Sequence, residues 1–196
     1  MLDNYIDSNG TGRKTVLYSV IIYFLIFLPV LPQFSAYHSD ETFYTDSSVR
    51  MAQSGDYLTP YYLDDNLRLN KPILTYWTLV VPYKLFGISH FSSRLLFLVA
   101  GALLIFLTFE MSKALFRGSQ SVSPHYLSAL ILASNVQFIT ISLRSTPDIL
   151  LCLFINISLF GFIRILFQDD TRLRNYLFAY LGAALAIETK GLLGGF

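Results

Sequence analysis

The chain has 196 residues, of which 54% are hydrophobic and only 14% are charged. Soluble domains carry about a quarter charged residues, so this composition excludes an ordinary soluble protein and indicates an integral membrane protein. The formal net charge is +1, so the charge balance gives no indication of a nucleic-acid partner.

Five apolar segments follow one another along the chain, and each has roughly the length that a membrane-crossing helix needs. A backbone in lipid has to satisfy its own hydrogen bonds, so these segments are predicted to be helical. We therefore predict an all-α fold, a polytopic transmembrane helix bundle. The predicted spans cover residues 15–34, 92–109, 125–143, 149–167 and 176–193.

The first apolar segment begins after Arg13 and Lys14 and contains Pro29 and Pro32 near its far end, where a helix can stop. No small-residue cleavage site follows it. We interpret it as a retained first span of signal-anchor character rather than a removable signal peptide.

An acidic loop, residues 37–71, separates the first two spans. Within it, residues 40–55 are predicted to form a surface helix that Ser39 or Asp40 begins and Gly55 ends. A polar loop without fixed structure is the alternative interpretation. The loop 37–71 has more acidic than basic residues, which favours an extracytoplasmic position for it.

The aromatic segment 72–87 follows this loop. It is short and is interrupted by Pro82 and Lys84, so an interfacial or re-entrant helix suits it better than a full span. Its Trp77 is an amphipathic ring of the kind that lies at the headgroup level.

Basic residues next to the spans predict the orientation. They gather on one side if every span crosses the membrane once, and that side is then cytoplasmic. The basic residues used here are Arg13, Lys14, Lys113, Arg117, Arg172 and Arg174. The opposite, extracytoplasmic face is then predicted to collect Asp40, Glu41, Lys71, Arg144, Asp148, Glu188 and Lys190.

Ionisable groups at a membrane boundary are costly to desolvate and often functional. Lysine and arginine neutralise phosphate oxygens, and a carboxylate accepts a proton from an attacking hydroxyl. Carboxylates and cations together on one face therefore suit transfer of a group from a phosphate-linked donor.

Six short elements carry a resemblance, in chain order from the acidic loop to the fifth span. They are Asp40-Glu41, Ser54-Gly55-Asp56-Tyr57, Lys71-Pro72, Phe86-Gly87 to Arg94, Asp148, and Thr189-Lys190-Gly191. Together they resemble the N-terminal part of the GT-C class of polytopic glycosyltransferases that use polyprenyl-phosphate sugars. This branch includes aminoarabinose transferases and protein O-mannosyltransferases.

The resemblance implies that Asp40 is the catalytic base and that Glu41 orients the catalytic site. It implies substrate-binding positions for Lys71 at the lipid phosphate, and for Asp148, Arg94 and Lys190. The implied reaction inverts the anomeric carbon and needs no cofactor. The sugar passes to a lipid, glycan or protein acceptor at the extracytoplasmic face of a membrane, and a bacterial inner membrane is the implied location.

The chain departs from the family pattern at several positions. Phe43 replaces a frequent arginine, and Pro147 is inserted before the acid of the turn. Ile73 and Leu192 replace prolines. Asn70 occupies a position where some relatives carry an acid that can bind a metal, so no metal site is predicted.

Structural roles compete with these functional ones. The two acids Asp40 and Glu41 could only cap a helix, Lys71 could reach the interface as a flanking lysine, and Asp148 could cap the fourth span. A lipid or anion transporter or flippase is an alternative function, and a non-catalytic membrane scaffold is another. Because the sequence stops at Phe196 in an apolar run, we expect it to be part of a longer protein.

Overall fold

A computed structural model describes residues 3–34, 39–62, 64–116 and 124–191. These residues form eight α-helices, and an isolated antiparallel bridge between Tyr61 and Leu67 is the extent of β structure among them. The predicted all-α class is confirmed. The helices are α1 (Asp3–Phe27), α2 (Ser39–Ser54), α3 (Leu74–Phe86), α4 (His90–Leu115), α5 (Pro124–Ser134), α6 (Val136–Ser142), α7 (Pro147–Gln168) and α8 (Leu173–Lys190).

Two of the described helices, α4 and α7, are long and apolar enough to cross a membrane by length and composition. The apolar segment Lys14–Val30 is shorter than α4 and α7. It consists of the second part of α1 and the 3-10 turn that follows α1. The number of crossings and their orientation stay predictions. Parts of three predictions lie outside the described residues. They are residues 37–38 of the acidic loop, the basic residue Arg117, and residues 192–193 of the fifth predicted span.

The third predicted span, residues 125–143, is two helices in the structure. Asn135 adopts an extended backbone between α5 and α6, and its side-chain oxygen accepts the Phe138 N–H at 2.9 Å. An asparagine in this position caps the start of a new helix, so the apolar segment is interrupted at Asn135.

Helices α7 and α8 form a hairpin with very close backbones. An added Cβ at Gly161 would lie 2.4 Å from the Ala179 nitrogen, and one at Gly182 would lie 2.6 Å from the Ser158 nitrogen. The Ser158 hydroxyl donates to the Ala179 carbonyl at 2.7 Å. Small residues at such crossings are typical of helices that pack in membranes. The hairpin brings the start of α7 beside the end of α8.

The surface helix predicted at 40–55 is α2, and Gly55 ends it with a φ of 78°. A glycine accommodates this backbone without a steric penalty. The Tyr44 and Tyr76 rings of α2 and α3 lie 5.6 Å apart. The Thr75 hydroxyl donates to the Thr189 carbonyl at 3.2 Å, which joins α3 to the end of α8. Both short helices therefore lie at the end of the bundle where α7 begins.

Candidate functional site

The adjacent acids at the start of α2 point to different surroundings. Asp40 is exposed and lines a cavity, whereas the Glu41 side chain is only 1% exposed and does not line that cavity. Consecutive residues of an α-helix lie about 100° apart around its axis, so one of two adjacent acids faces inward when the other faces out.

Glu41 forms a buried ion pair with Arg94 of α4. The Arg94 Nε donates to Glu41 Oε1 at 3.2 Å, and its Nη2 donates to Oε2 at 3.4 Å. The Ser145 N–H also donates to Glu41 Oε1 at 2.8 Å. The Arg94 Nη1 donates to the carbonyls of Leu31 at 3.1 Å and Phe34 at 2.7 Å. This network joins the segment after α1 to α2, α4 and the turn before α7.

The resemblance implies that Glu41 orients the catalytic site and that Arg94 binds the substrate, and the structure buries both side chains. Neither lies among the residues that line the cavity beside Asp40, because each carries its charge into the interior to meet the other. A fully buried pair is held in place by its hydrogen bonds, and removing one partner leaves an uncompensated charge.

The cavity beside Asp40 has a volume of about 340 Å3. Four parts of the chain contribute to it, namely α2, the segment before α3, the start of α7 and the end of α8. Four of the six predicted site residues line it together: Asp40, Lys71, Asp148 and Lys190. The remaining lining residues are Phe43, Tyr44, Tyr62, Arg68, Asn70, Thr146 and Pro147.

Turns in the segment 55–71 position the side chains of its end. The Asp56 carboxylate accepts the N–H groups of Leu58 at 3.0 Å and Thr59 at 3.1 Å, and these bonds lower the pKa of Asp56. A narrow turn then brings the Arg68 N–H to the Pro60 carbonyl at 2.8 Å. The segment therefore returns toward α2 before it reaches Lys71.

Asp148 and Lys190 form an ion pair on one wall of the cavity. The Lys190 Nζ donates to Asp148 Oδ1 at 2.5 Å, and the two side chains are 30% and 45% exposed, respectively. Pro147 is the first residue of α7, where a missing N–H costs nothing, so the proline inserted in this turn starts the helix. The α7–α8 hairpin brings the two charges together.

Sequence reasoning missed Arg68, which it counted only as one base of the acidic loop. The side chain is 5% exposed, and its guanidinium carbon lies 4.9 to 5.9 Å from the centroids of four aromatic rings. The sequence does contain an indication of this role. Arg68 follows two tyrosines and lies three residues before Lys71. The surrounding rings belong to Phe43, Tyr44, Tyr62 and Tyr76.

The charges on the cavity lining are two carboxylates and three cations, if lysine and arginine are protonated and aspartate is ionised. Burial, followed by the neighbouring Tyr76, raises the pKa of Tyr44 to about 12, so its hydroxyl stays neutral. Such a lining suits an anion that is held beside a group able to accept a proton. Among the described residues, no three His, Cys, Asp or Glu side chains gather as a metal site would require.

A larger cavity of about 780 Å3 lies between α4, α7 and α8. Its lining is mainly apolar and includes none of the six predicted site residues. The larger cavity also carries Glu110, Arg164, Arg174 and Asn175, but the smaller one brings together four of the six predicted site residues and is the better candidate.

The chain matches the model of the family described as "Dolichyl-phosphate-mannose-protein mannosyltransferase" over residues 70–195. It is 32% identical to an uncharacterized protein of Aquifex aeolicus over 88% of the chain and 35% of that protein. It is 26% identical to "Undecaprenyl phosphate-alpha-4-amino-4-deoxy-L-arabinose arabinosyl transferase 1" of Proteus mirabilis over 92% of the chain and 32% of that protein. The chain thus spans about a third of the length of these relatives.

The fold resembles two crystal structures of ArnT from Cupriavidus metallidurans. The apo structure matches with a TM-score of 0.78 and 23% identity, over 96% of this chain and 34% of that one. The structure bound to undecaprenyl phosphate also has a TM-score of 0.78, with 22% identity over 92% of this chain and 32% of that one. The family match covers more than half of the chain and confirms the resemblance to polytopic glycosyltransferases. The chain belongs to the dolichyl-phosphate-mannose-protein mannosyltransferase family.

Proposed function

We propose that the chain takes part in sugar transfer from a polyprenyl-phosphate donor to an acceptor at the extracytoplasmic face of a bacterial inner membrane. The observation that carries the proposal is the cavity where Asp40, Lys71, Asp148 and Lys190 meet at one end of the bundle. Relatives named as undecaprenyl phosphate-aminoarabinose transferases, and the ArnT structure with undecaprenyl phosphate, support this class of donor.

Lys71 is the proposed phosphate ligand. It lines the cavity and has no ion-pair partner among the described residues, whereas Lys190 already pairs with Asp148. A cation without a carboxylate partner is available to an incoming anion, and it stabilises the charge that develops on a phosphate leaving group.

Asp40 is the proposed catalytic base. Its carboxylate takes the proton of the acceptor hydroxyl while the acceptor oxygen forms a bond to the anomeric carbon. The bond from that carbon to the phosphate oxygen breaks, and polyprenyl phosphate leaves with the electron pair. Attack from the side opposite the phosphate inverts the anomeric centre. Asp40 later releases its proton to water.

The other predicted site residues have supporting roles in this proposal. Asp148 and Lys190 form the opposite wall of the cavity and can exchange their mutual bond for bonds to the substrate. Glu41 and Arg94 are positioning residues, because their buried network holds the start of α2, and therefore Asp40, in place.

The test uses membranes that contain the chain, the undecaprenyl phosphate-linked aminoarabinose donor with a labelled sugar, and a bacterial lipid extract as acceptor. We expect labelled product from the unmodified chain, and a loss of about 100- to 10,000-fold in Asp40→Asn, as for removal of a general base. Asp65→Asn, which changes an exposed aspartate outside the cavity lining, is the matched control and should retain activity.

Full activity of Asp40→Asn would remove Asp40 from the catalytic step. Transport of the donor across vesicles without any covalent product would instead favour the flippase alternative. Equal expression of all variants, measured by immunoblot, keeps loss of protein apart from loss of chemistry.

A further inference from the structure

Arg68 is a buried cation that no carboxylate of the described residues contacts directly. Its side chain is 5% exposed, yet it forms no ion pair within 4.0 Å with a carboxylate of the described residues. Buried arginines are normally paired, because desolvating a charge is costly. The other fully buried arginine, Arg94, follows this rule through Glu41.

The surroundings of Arg68 stabilise its charge without cancelling it. Three ring centroids lie 4.9 to 5.0 Å from its guanidinium carbon, a distance at which the negative faces of aromatic rings attract a cation. The Arg68 Nε donates to the Tyr76 hydroxyl at 2.7 Å, which orients the plane of the guanidinium. Neutral rings and hydroxyls leave the full positive charge at the cavity.

The position of Arg68 relates it to the proposed phosphate ligand. Arg68 and Lys71 belong to the same short segment and line the same cavity. A guanidinium can donate two parallel N–H bonds to two oxygens of one phosphate, whereas an ammonium acts as a point charge. The two cations can therefore bind one phosphate in complementary ways.

We propose that Arg68 is a second phosphate-binding residue, which grips the phosphate of the lipid-linked donor together with Lys71. This inference rests on the proposed function, since it takes the phosphate to be that of a polyprenyl-phosphate donor. In this arrangement the donor supplies the anion that the buried guanidinium lacks, and the aromatic cage keeps the guanidinium in place between turnovers.

The experiment measures binding to the purified chain in detergent micelles. Calorimetry gives the Kd of undecaprenyl phosphate and of undecaprenol, which has the same chain without the phosphate. Phosphatidylglycerol and inorganic phosphate serve as competitors, because each offers phosphate oxygens from a different source. The variants are Arg68→Gln, Arg68→Lys, Lys71→Gln and the control Arg50→Gln.

Arg50 is a matched control because it belongs to the same region, is partly exposed, pairs with Asp65 and does not itself line the cavity, although it also donates to the backbone carbonyl of Tyr62. We expect Arg68→Gln to weaken undecaprenyl phosphate binding by about 10- to 100-fold, as loss of a charge-assisted hydrogen bond does. Arg68→Lys should lose about 10-fold, because it keeps the charge but not the paired donors. The Kd of undecaprenol should change by no more than about twofold in any variant, because undecaprenol has no phosphate. The Kd of undecaprenyl phosphate for Arg50→Gln should also stay within about twofold of that of the unmodified chain.

Several outcomes overturn the inference. Unchanged phosphate affinity in Arg68→Gln, with affinity lost in Lys71→Gln, removes Arg68 and leaves the proposed function intact. Equal losses for undecaprenol and undecaprenyl phosphate assign Arg68 a structural role. Equal competition by phosphatidylglycerol or inorganic phosphate shows that the site does not select the donor.

If Arg68→Gln fails to fold, unchanged affinity in Arg68→Lys overturns the paired-donor geometry. No binding of undecaprenyl phosphate by the unmodified chain contradicts the proposed function itself.

Discussion

Two carboxylate–cation pairs lie at the same end of the bundle, and they differ in their access to solvent. The Glu41–Arg94 pair is almost fully buried, with side chains 1% and 0% exposed. The Asp148–Lys190 pair opens onto the cavity, with side chains 45% and 30% exposed. Each pair joins two helices through residues that are 53 and 42 positions apart in the sequence, respectively.

The difference in exposure separates a structural charge pair from one that can exchange partners. In the interior, Glu41 accepts hydrogen bonds from two nitrogens of Arg94 and from the Ser145 N–H, so losing a partner leaves a charge with no water to replace it. Asp148 and Lys190 can trade their mutual bond for water or a ligand at low cost, because an exposed pair contributes little to stability. Of the two pairs, the exposed one is therefore suited to contact a substrate.

The largest effect should follow from breaking the buried pair. Glu41→Gln keeps the shape of the side chain but leaves the Arg94 charge buried without a carboxylate. We expect the free energy of unfolding to fall by about 3–5 kcal/mol, the usual cost of breaking a buried pair. Thermal unfolding in detergent, followed by circular dichroism, measures it.

The matched control for this change is Glu188→Gln, because Glu188 is an exposed acid of α8. The same substitution at that surface position should change stability by less than about 0.5 kcal/mol. If the two variants unfold at the same temperature, burial does not determine how much each carboxylate contributes to stability. The proposed difference between the buried and the exposed pair would then be wrong.

The sequence predicts which residues share one face of the bundle, but it does not predict how their side chains are oriented. Alternating spans predicted that Asp40, Lys71, Asp148 and Lys190 share one face, and the structure brings these four to one cavity. The topology can be predicted from the order and length of the helices, and the pattern of apolar residues indicates both. The roles of these residues stay predictions.

The rest depended on tertiary contacts that no local pattern contains. Which of two adjacent acids faces inward depends on how α2 is rotated, so Glu41 was assigned to the catalytic site rather than to the interior. The cage around Arg68 combines rings from α2, the following segment and α3. Asn135 divides an apolar stretch that composition alone reads as one span.

An intermediate effect is expected at Asp170, between α7 and α8, where the carboxylate is 10% exposed. Arg172 donates to it at 2.6 Å and Arg164 at 3.0 Å. These bonds, those from Arg172 above all, hold the pKa of Asp170 well below its usual range. A lowered folded-state pKa adds stability above the unfolded pKa of about 3.9, and this stability is lost as the pH falls through the folded pKa.

Asp170→Asn should therefore lower the Tm at pH 7, by less than Glu41→Gln does. The difference from the unmodified chain should shrink as the pH falls below about 4, because the unfolded chain then binds a proton at Asp170 while the folded chain still holds the carboxylate ionised. Melting curves at pH 7, 5 and 3 test this trend. Asp169→Asn changes the exposed neighbouring acid, and a matching pH dependence there would show that the arginines around Asp170 are not its source.

The smallest stability effect should come from the cavity pair, although its effect on activity should be large. Asp148→Asn removes a half-exposed charge, so we expect the free energy of unfolding to fall by no more than about 1 kcal/mol. Transfer from the labelled donor should fall sharply, because Lys190 and the cavity wall lose their acid. Tm and transfer rate, measured on the same preparations, separate the two effects.

The reversed pair Asp148→Lys with Lys190→Asp sharpens this last prediction. If the two residues only hold α7 to α8, the reversed pair restores both the Tm and the transfer rate. If the carboxylate acts from the α7 side of the cavity, the reversed pair restores the Tm but not the transfer rate. Recovery of both would make the cavity pair structural like its buried counterpart, and solvent access would then no longer distinguish the roles of the two pairs.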